Sequence, residues 1–320
     1  MNPKISTRAL TEGALMSGIT ALLGVLSYYI PFLTLLIFAW PIPIVLLGKR
    51  HGLAVSGVAT LVSGVLLSLF TPILFAIQIV VMYGLLALAL AFAYQKELGT
   101  TRTFLVGYAT SLISIVVLMQ LYSLFTGVSI VTELTEMMRI SMEEVQRMYA
   151  GIGMDLTTLE QSLGQVDHMI QTMSRLFPAT ILIIPATITF INMFASEKLL
   201  SRLGYRITGI PPFRTWKLPN HASFGFLGIL LLAMFGLGLN IPNFDLVYQN
   251  LLYIILMVFF IQGLAVISYV SYQRGLSKAF TVIFIIMLLM MPFLQSIVQL
   301  VGLLESVFHL RDKIKFGGKS

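Results

Sequence analysis

Uncharged polar and aromatic side chains are the groups in this sequence best suited to bind a small molecule. Tyrosine and glutamine recur near one end of three long apolar segments, and the residues are Tyr28, Tyr29, Gln78, Gln120 and Tyr122. Small-molecule sites are mainly apolar and aromatic, with a few hydrogen-bonding groups that fix orientation. We therefore predict a substrate-binding pocket at these residues. An aromatic belt with interhelical hydrogen bonds would use the same side chains, so that interpretation stays open.

Catalytic and nucleotide-binding signatures are absent from the sequence. It has no G-x-x-x-x-G-K-[ST] phosphate loop, no H-E-x-x-H zinc motif and no G-x-S-x-G nucleophile elbow. It has no cysteine, and its histidines are scattered: His51, His168, His221 and His309. We therefore expect no enzyme activity, no catalytic residue, no metal and no cofactor. If the protein uses the energy of ATP, separate ATPase subunits must hydrolyse it.

The elements that would position the pocket residues are membrane-spanning helices. Hydrophobic residues make up 58% of the 320 residues and charged residues 10%, whereas soluble domains contain roughly 25% charged residues. Apolar segments recur at about 10–30, 32–48, 53–70, 72–94, 104–126, 176–197, 222–240, 249–272 and 279–303. The sequence therefore predicts an all-α fold, a polytopic transmembrane helix bundle of about nine spans. Eight spans would result if the last segment, which Pro292 splits, does not cross completely.

Lysine and arginine positions predict the orientation, because short loops rich in these residues stay in the cytoplasm. Basic residues recur after every second span, at Lys4 and Arg8, Lys49 and Arg50, Lys96 and Arg102, loop 198–221, and Arg274 and Lys278. We expect a cytoplasmic amino terminus, with the five pocket residues on the opposite side and Glu12 as an ordinary helix-end residue. Topology then accounts for the net charge of +7, and no nucleic-acid partner is expected. The basic tail, 304–320, is external if 279–303 crosses the membrane. It lies on the cytoplasmic side if 279–303 does not cross completely.

A polar segment, 127–175, interrupts the apolar pattern on the side opposite the amino terminus. Seven acidic and three basic residues give it a formal charge of −4. Apolar stripes from Val131 to Met148 and from Leu156 to Phe177 have helical spacing, with Gly151 and Gly153 between them and Asp155 as an N-cap. We predict an extracytoplasmic amphipathic helical hairpin. It would serve as a lid or partner-docking element, or pack on its own membrane domain or the lipid surface.

Small residues form a face on each of two apolar segments. Ala14 and Gly18 lie four apart in the first, and Gly57 and Gly64 lie in the third. Small residues allow helix backbones to approach closely, which favours association in lipid. These residues predict helix packing, subunit docking, or both. The predicted organisation is membrane helices 1–5 in 1–126, the hairpin in 127–175, helix 6 in 176–197, a cytoplasmic basic loop in 198–221, helices 7–9 in 222–303 and a basic tail in 304–320.

The stretch from Thr11 to about Glu97 carries a resemblance to a known class. It contains the small-residue first helix, "PFLTLLIFAWPIPIVLLG", the turn "GKRHG" and "LAVSGVATLVSGVLLSLF". This stretch resembles the substrate-binding S components of energy-coupling-factor vitamin transporters. The whole chain, including "VGLLESVFHLRDKIKF", resembles the YybS-like family of uncharacterised bacterial polytopic membrane proteins.

The S-component resemblance implies a six-helix module with an external solute pocket in the bacterial cytoplasmic membrane. It also implies that the face at Ala14 and Gly18 meets a coupling transmembrane subunit, which ATPase subunits would drive. The segments 127–175 and 222–303 have no counterpart in S components. We expect a solute-binding or transport-related subunit surrounded by lipid bilayer, and a homo-oligomer stays open. The alternative is a non-transporting scaffold or regulatory protein that acts through its hairpin.

Overall fold

All regular secondary structure in the part of the chain that the structure describes is helical. This computed structural model describes residues 6–151, 168, 170–239 and 241–313. Its α-helices are α1 (Thr7–Tyr29), α2 (Pro41–His51), α3 (Leu53–Ser68), α4 (Ile73–Ile79), α5 (Leu85–Gln95), α6 (Thr100–Thr126), α7 (Ile130–Gly151), α8 (Phe177–Arg202), α9 (Asn220–Leu237), α10 (Phe244–Gln273), α11 (Lys278–Met290), α12 (Pro292–Phe308) and α13 (Leu310–Lys313). A 3-10 helix (Pro31–Ala39) precedes α2, and a π-helical turn (Val80–Gly84) joins α4 to α5. The predicted all-α helix bundle is confirmed.

Among the described residues, six helical segments are long and apolar enough to cross a membrane, or seven if the bent pair Lys278–Met290 and Pro292–Phe308 counts as one span. The six are Thr7–Tyr29, Pro31–His51, Ile73–Gln95, Thr100–Thr126, Phe177–Arg202 and Phe244–Gln273. The shortest has 21 residues, and at about 1.5 Å per residue it matches the roughly 30 Å hydrocarbon core of a bilayer. Leu53–Ser68 and His221–Leu237 are apolar but shorter. The chain is a polytopic membrane protein, and the count of about nine spans, or eight, stays a prediction.

The first helix has the inverted pattern expected in lipid. Leu15 and Leu22 are exposed, whereas Ser17 and Thr20 are buried against the rest of the chain. Lipid is as apolar as leucine, so leucine gains little by leaving it, while small and hydroxyl side chains allow close packing and hydrogen bonding between helices. Ser6 begins the helix by accepting a hydrogen bond from the Ala9 N–H at 3.2 Å.

The described residues fall into two compact units. The first contains 6–151 and 180–210, and the second contains 168, 170–179, 211–239 and 241–313. One boundary lies near the start of α8, between Ala179 and Thr180, and another lies within the predicted basic loop, 198–221, between Ile210 and Pro211. The first unit therefore holds the six N-terminal apolar segments, through α8, together with α7.

The last apolar segment is broken. Lys278–Met290 and Pro292–Phe308 are bent by 112°, and Met291 between them is extended because proline disfavours helix at the preceding residue. Beyond the break, α12 packs on α10 at two glycines: a Cβ on Gly302 would lie 1.8 Å from the Phe259 carbonyl oxygen. Only glycine permits so close an approach of two helix backbones.

The described part of the basic tail returns to the basic loop within the second unit. Arg311 donates to the carbonyl oxygens of Arg214 and Trp216 at 2.9 and 2.6 Å, and its Nε lies 2.7 Å from the buried carboxylate of Glu305. Lys217 Nζ lies 2.5 Å from the Asp312 carboxylate. This arrangement favours the alternative in which residues 279–303 do not cross completely.

The first half of the predicted hairpin is helical. Helix α7 (Ile130–Gly151) carries exposed apolar side chains, Leu134, Met137, Ile140 and Met148. On its charged side, Arg139 pairs with Glu136 and Glu143. Most of the second predicted stripe, from Leu156 onward, and the predicted N-cap Asp155 lie outside the described residues.

Candidate functional site

The two tyrosines of the predicted pocket lie together at the end of α1. The ring of Tyr28 packs edge-on against Tyr29, with centroids 5.1 Å apart, and lies 4.8 Å from the ring of Phe75 in α4. The hydroxyl of Tyr29 donates to the Phe70 carbonyl oxygen at 2.6 Å. An aromatic cluster therefore joins the ends of α1 and α3 to the start of α4.

The other three predicted pocket residues do not contact this cluster. Gln78 and Gln120 are exposed, and Tyr122 is half-buried. In the described part of the chain, no hydrogen bond or ring contact joins any of them to Tyr28 or Tyr29. The five-residue pocket stays a prediction, and Tyr28 and Tyr29 are the part of it that the structure brings together.

A seam of buried polar side chains follows α6 and α8 inside the first unit. We define this polar seam by Ser111, Ser114, Thr189, Asn192 and Ser196, each no more than 1% exposed. The hydroxyl oxygens of Ser111 and Thr189 form a hydrogen bond of 3.1 Å. Next to them a Cβ on Gly107 would lie 2.7 Å from Thr189 Cγ2, so the absence of a side chain there lets the two helices meet.

Three atoms of the polar seam have no hydrogen-bond partner among the described residues. They are Ser114 Oγ, Asn192 Oδ1 and Ser196 Oγ. The amide nitrogen of Asn192 does donate, to the Ile188 carbonyl oxygen at 2.9 Å. An unpaired buried polar group typically costs about 1–3 kcal/mol, so these three atoms are sites where a bound water or solute would gain hydrogen bonds.

Trp40 is a second buried group with an unused donor, since its indole N–H has no partner in the described chain. The ring packs beside two glycines: a Cβ on Gly24 would lie 3.4 Å from Nε1, and one on Gly84 would lie 3.6 Å from Cη2. Gly84 ends the π-helical turn, and such turns are frequent at functional positions in helices. Trp40 could not be identified from the sequence, because hydropathy does not distinguish a buried tryptophan from an interfacial one.

The small-residue positions differ in their surroundings. Gly64 is packed, since a Cβ there would lie 2.4 Å from Val80 Cγ2, whereas Gly18 and Gly57 would meet nothing within 4 Å. Ala14 is exposed. Direct hydrogen bonds between α1 and α3 come instead from neighbouring serines, with Ser17 Oγ donating to the Ala59 carbonyl oxygen at 3.2 Å. Subunit docking at Ala14 and Gly18 stays a prediction.

Charged residues cluster at the end of the first unit where α1 begins. The Glu12 carboxylate lies 2.8 Å from His51 Nε2, 3.1 Å from Arg8 Nε and 3.4 Å from Arg50 Nη1. Arg50 Nε also donates to the Tyr205 hydroxyl at 3.1 Å. We expected Glu12 to be an ordinary helix-end residue, and the structure gives its carboxylate three basic neighbours from two helices.

A cavity of about 510 Å³ adjoins this cluster. Its lining comes from the turn after α5 and the extended segment after α8: Tyr94, Glu97, Leu98, Tyr205, Arg206, Ile207 and Thr208. Lys49 Nζ donates to the Tyr94 carbonyl oxygen at 2.7 Å and lies 3.6 Å from Glu97 Oε1. Thr100 Oγ1 holds the extended segment by donating to the Thr208 carbonyl oxygen at 3.1 Å. The cavity could not be predicted from the sequence, because its two walls are about 110 residues apart along the chain.

The described residues contain no cluster of three or more metal-ligating side chains. The protein is an integral multi-pass membrane protein. Its helical segments are long enough to span a bilayer, and they expose leucine while burying polar side chains. Within that class the chain belongs to the family described as predicted membrane protein (DUF2232), which it matches over residues 18–306.

The chain is similar to a curated relative along nearly its whole length. That relative is "Uncharacterized protein YybS" of Bacillus subtilis (strain 168), which is 27% identical over 317 residues, covering 97% of this chain and 99% of the relative. No solved structure matches the chain. The predicted membership of a YybS-like membrane protein family is confirmed.

Proposed function

We propose that this chain is a solute-binding or transport-related subunit of the bacterial cytoplasmic membrane, similar in role to an S component and without catalysis of its own. The observation that carries the proposal is the polar seam of the first unit, with its unpartnered Ser114, Asn192 and Ser196 atoms. A bundle that served only as an anchor would gain stability from apolar side chains at these positions. The presence of polar atoms there instead favours a role in which a polar solute or its water is accommodated between α6 and α8.

The composition of the first unit supports the same proposal. It holds six apolar helical segments, which is the number that the S-component resemblance implies. In this proposal Tyr28, Tyr29, Gln78, Gln120 and Tyr122 form the external entrance to the solute site. The exposed Ala14 and Gly18 then meet a coupling transmembrane subunit, and ATPase subunits supply the energy.

Native mass spectrometry of the gently extracted protein tests this proposal, because it detects bound metabolites and companion polypeptides together. We expect a retained small molecule in the wild type. Gln78→Leu and Gln120→Leu should reduce its occupancy, whereas Gln95→Leu should not. Gln95 is the matched control, since it is also exposed and lies at the far end of the helical segment that contains Gln78. A wild type without any small molecule, together with unchanged uptake in all three variants, would exclude the solute site.

A second candidate function is that of a membrane scaffold or regulatory protein. It is favoured by the apolar side chains that α7 leaves exposed, Leu134, Met137, Ile140 and Met148. Exposed apolar patches rimmed by charge are typical of surfaces that contact a partner or a membrane. Deleting residues 127–175 separates the two functions: a scaffold loses its partner, whereas a transport subunit retains solute binding.

A further inference from the structure

We propose that the cavity at the basic end of the first unit binds the phosphate group of an anionic phosphate ester. The ligand is either the headgroup of an anionic phospholipid or a soluble organic phosphate, and the two share the chemistry that the cavity recognises. The site is separate from the polar seam and from the residues of the predicted external pocket. Its cavity of about 510 Å³ lies within the range of about 300–1,000 Å³ that is usual for small-ligand sites.

The charged groups around the cavity differ in their partners. Glu97 is paired with Lys49 at 3.6 Å. Glu197, on α8 nearby, uses its carboxylate to accept a hydrogen bond from the backbone Ile210 N–H at 2.8 Å, and it forms no ion pair with Arg206 within the described chain. Arg206 lines the cavity, is exposed, and forms no ion pair within the described chain. An arginine in this state offers the planar, two-pronged donor set that binds phosphate.

The neighbouring carboxylate does not cancel this charge. Glu12 lies within 3.4 Å of basic groups of Arg8, Arg50 and His51, so its negative charge is already matched locally. Arg50 in turn donates to the Tyr205 hydroxyl. Because that hydroxyl oxygen acts as the acceptor, its own proton remains available to a further acceptor such as a phosphate oxygen.

The remaining lining fits a ligand with both polar and apolar parts. Thr208 brings a hydroxyl, while Leu98 and Ile207 bring apolar surface. The backbone of the extended wall is fixed by the Thr100 hydroxyl, which donates to the Thr208 and Gly209 carbonyl oxygens at 3.1 and 3.2 Å. A fixed wall reduces the ordering that binding would otherwise require.

The test uses the full-length protein and two probes, phosphatidylglycerol in phosphatidylcholine nanodiscs and soluble glycerol 3-phosphate. Retention is measured by native mass spectrometry, and binding by the shift in thermal unfolding midpoint with probe concentration. Arg206→Gln is compared with Arg202→Gln, which removes the same charge from an exposed residue at the end of α8 that does not line the cavity. Arg206→Lys retains the charge but removes the two-pronged geometry.

We expect Arg206→Gln to weaken probe binding by about tenfold or more, as the loss of one charge-assisted hydrogen-bonding group predicts. Arg206→Lys should bind with intermediate strength, and Arg202→Gln like the wild type. Binding of the lipid alone identifies a headgroup site, and binding of glycerol 3-phosphate alone identifies a soluble-phosphate site. The proposal is overturned if neither probe binds, or if the two arginine-to-glutamine variants lose affinity equally. An unfolding midpoint of Arg206→Gln that matches the wild type without probe excludes misfolding as the cause.

Discussion

Removing one hydroxyl from the polar seam should make the protein more stable and less functional. Ser114 is fully buried, and its Oγ has no partner in the described chain. Because an unpaired buried polar group costs about 1–3 kcal/mol, Ser114→Ala should raise the free energy of unfolding by about 1 kcal/mol. If the hydroxyl instead serves a solute, the same variant should lose solute retention. Stability gained while function is lost is the usual result of substitution in a binding site.

Ser111→Ala is the matched control, one helical turn away on the same helix. Ser111 is equally buried but forms the 3.1 Å hydrogen bond with Thr189. Hydrogen bonds between membrane helices are worth about 0.6 kcal/mol on average and at most about 1.7, and Ser111→Ala also leaves the Thr189 hydroxyl unpaired. We expect this variant to be destabilised by about 1 kcal/mol.

Reversible unfolding in mixed micelles gives both free energies, and native mass spectrometry gives solute occupancy. The two variants should move the free energy of unfolding in opposite directions, and Ser114→Ala should lose the larger share of bound solute. If both variants are destabilised alike and keep their solute, the seam is an ordinary packing interface. The unpartnered atoms would then not mark a solute site.

Three further predictions concern packing and charge in the second unit. Gly302→Ala should prevent stable folding, because its Cβ would lie 1.8 Å from a carbonyl oxygen of α10. Gly18→Ala is the control, since its Cβ would meet nothing within 4 Å. In size-exclusion chromatography, Gly18→Ala should elute as a single peak at wild-type yield. Arg311→Met should lower the free energy of unfolding by about 3–5 kcal/mol, because it leaves the Glu305 carboxylate buried without its ion-pair partner; both side chains are 2% exposed. A loss of less than about 1 kcal/mol, measured by calorimetry, contradicts this prediction. The hydrogen bond from Lys217 lowers the pKa of Asp312 below its ordinary value of 3.8. Its stabilisation should therefore be complete above pH 3.8 and disappear as the pH falls through the lower folded pKa, so the unfolding midpoints of wild type and Asp312→Asn should converge in acid; a constant difference contradicts this.

Hydropathy and glycine placement predict the helices well but not their rotation. The first apolar segment was expected at about 10–30, and α1 spans Thr7–Tyr29. Which face of that helix is buried depends on rotation, since each residue turns the helix by about 100°. Ser111 and Thr189 therefore could not be paired from the sequence, because their contact depends on how α6 and α8 are rotated against each other.

Contacts between distant loops were the other unpredicted part. The sequence predicts a cytoplasmic basic loop but leaves the side of the tail open. In the structure, the buried Arg311 of the tail donates to the Trp216 carbonyl oxygen of that loop, about 95 residues away along the chain. The cavity beside Arg206 arises in the same way, from a turn after α5 and a segment after α8. Hydropathy and charge counts describe each segment alone, so a site shared by two loops leaves no signal in either.

In the function that we propose, the first unit holds a polar solute along its buried seam. Native mass spectrometry of the wild type and Ser114→Ala, extracted under identical mild conditions, tests it most directly. We expect one small-molecule adduct in the wild type that Ser114→Ala loses and Arg206→Gln keeps. A wild-type spectrum that contains only protein and lipid would show that the seam holds no solute.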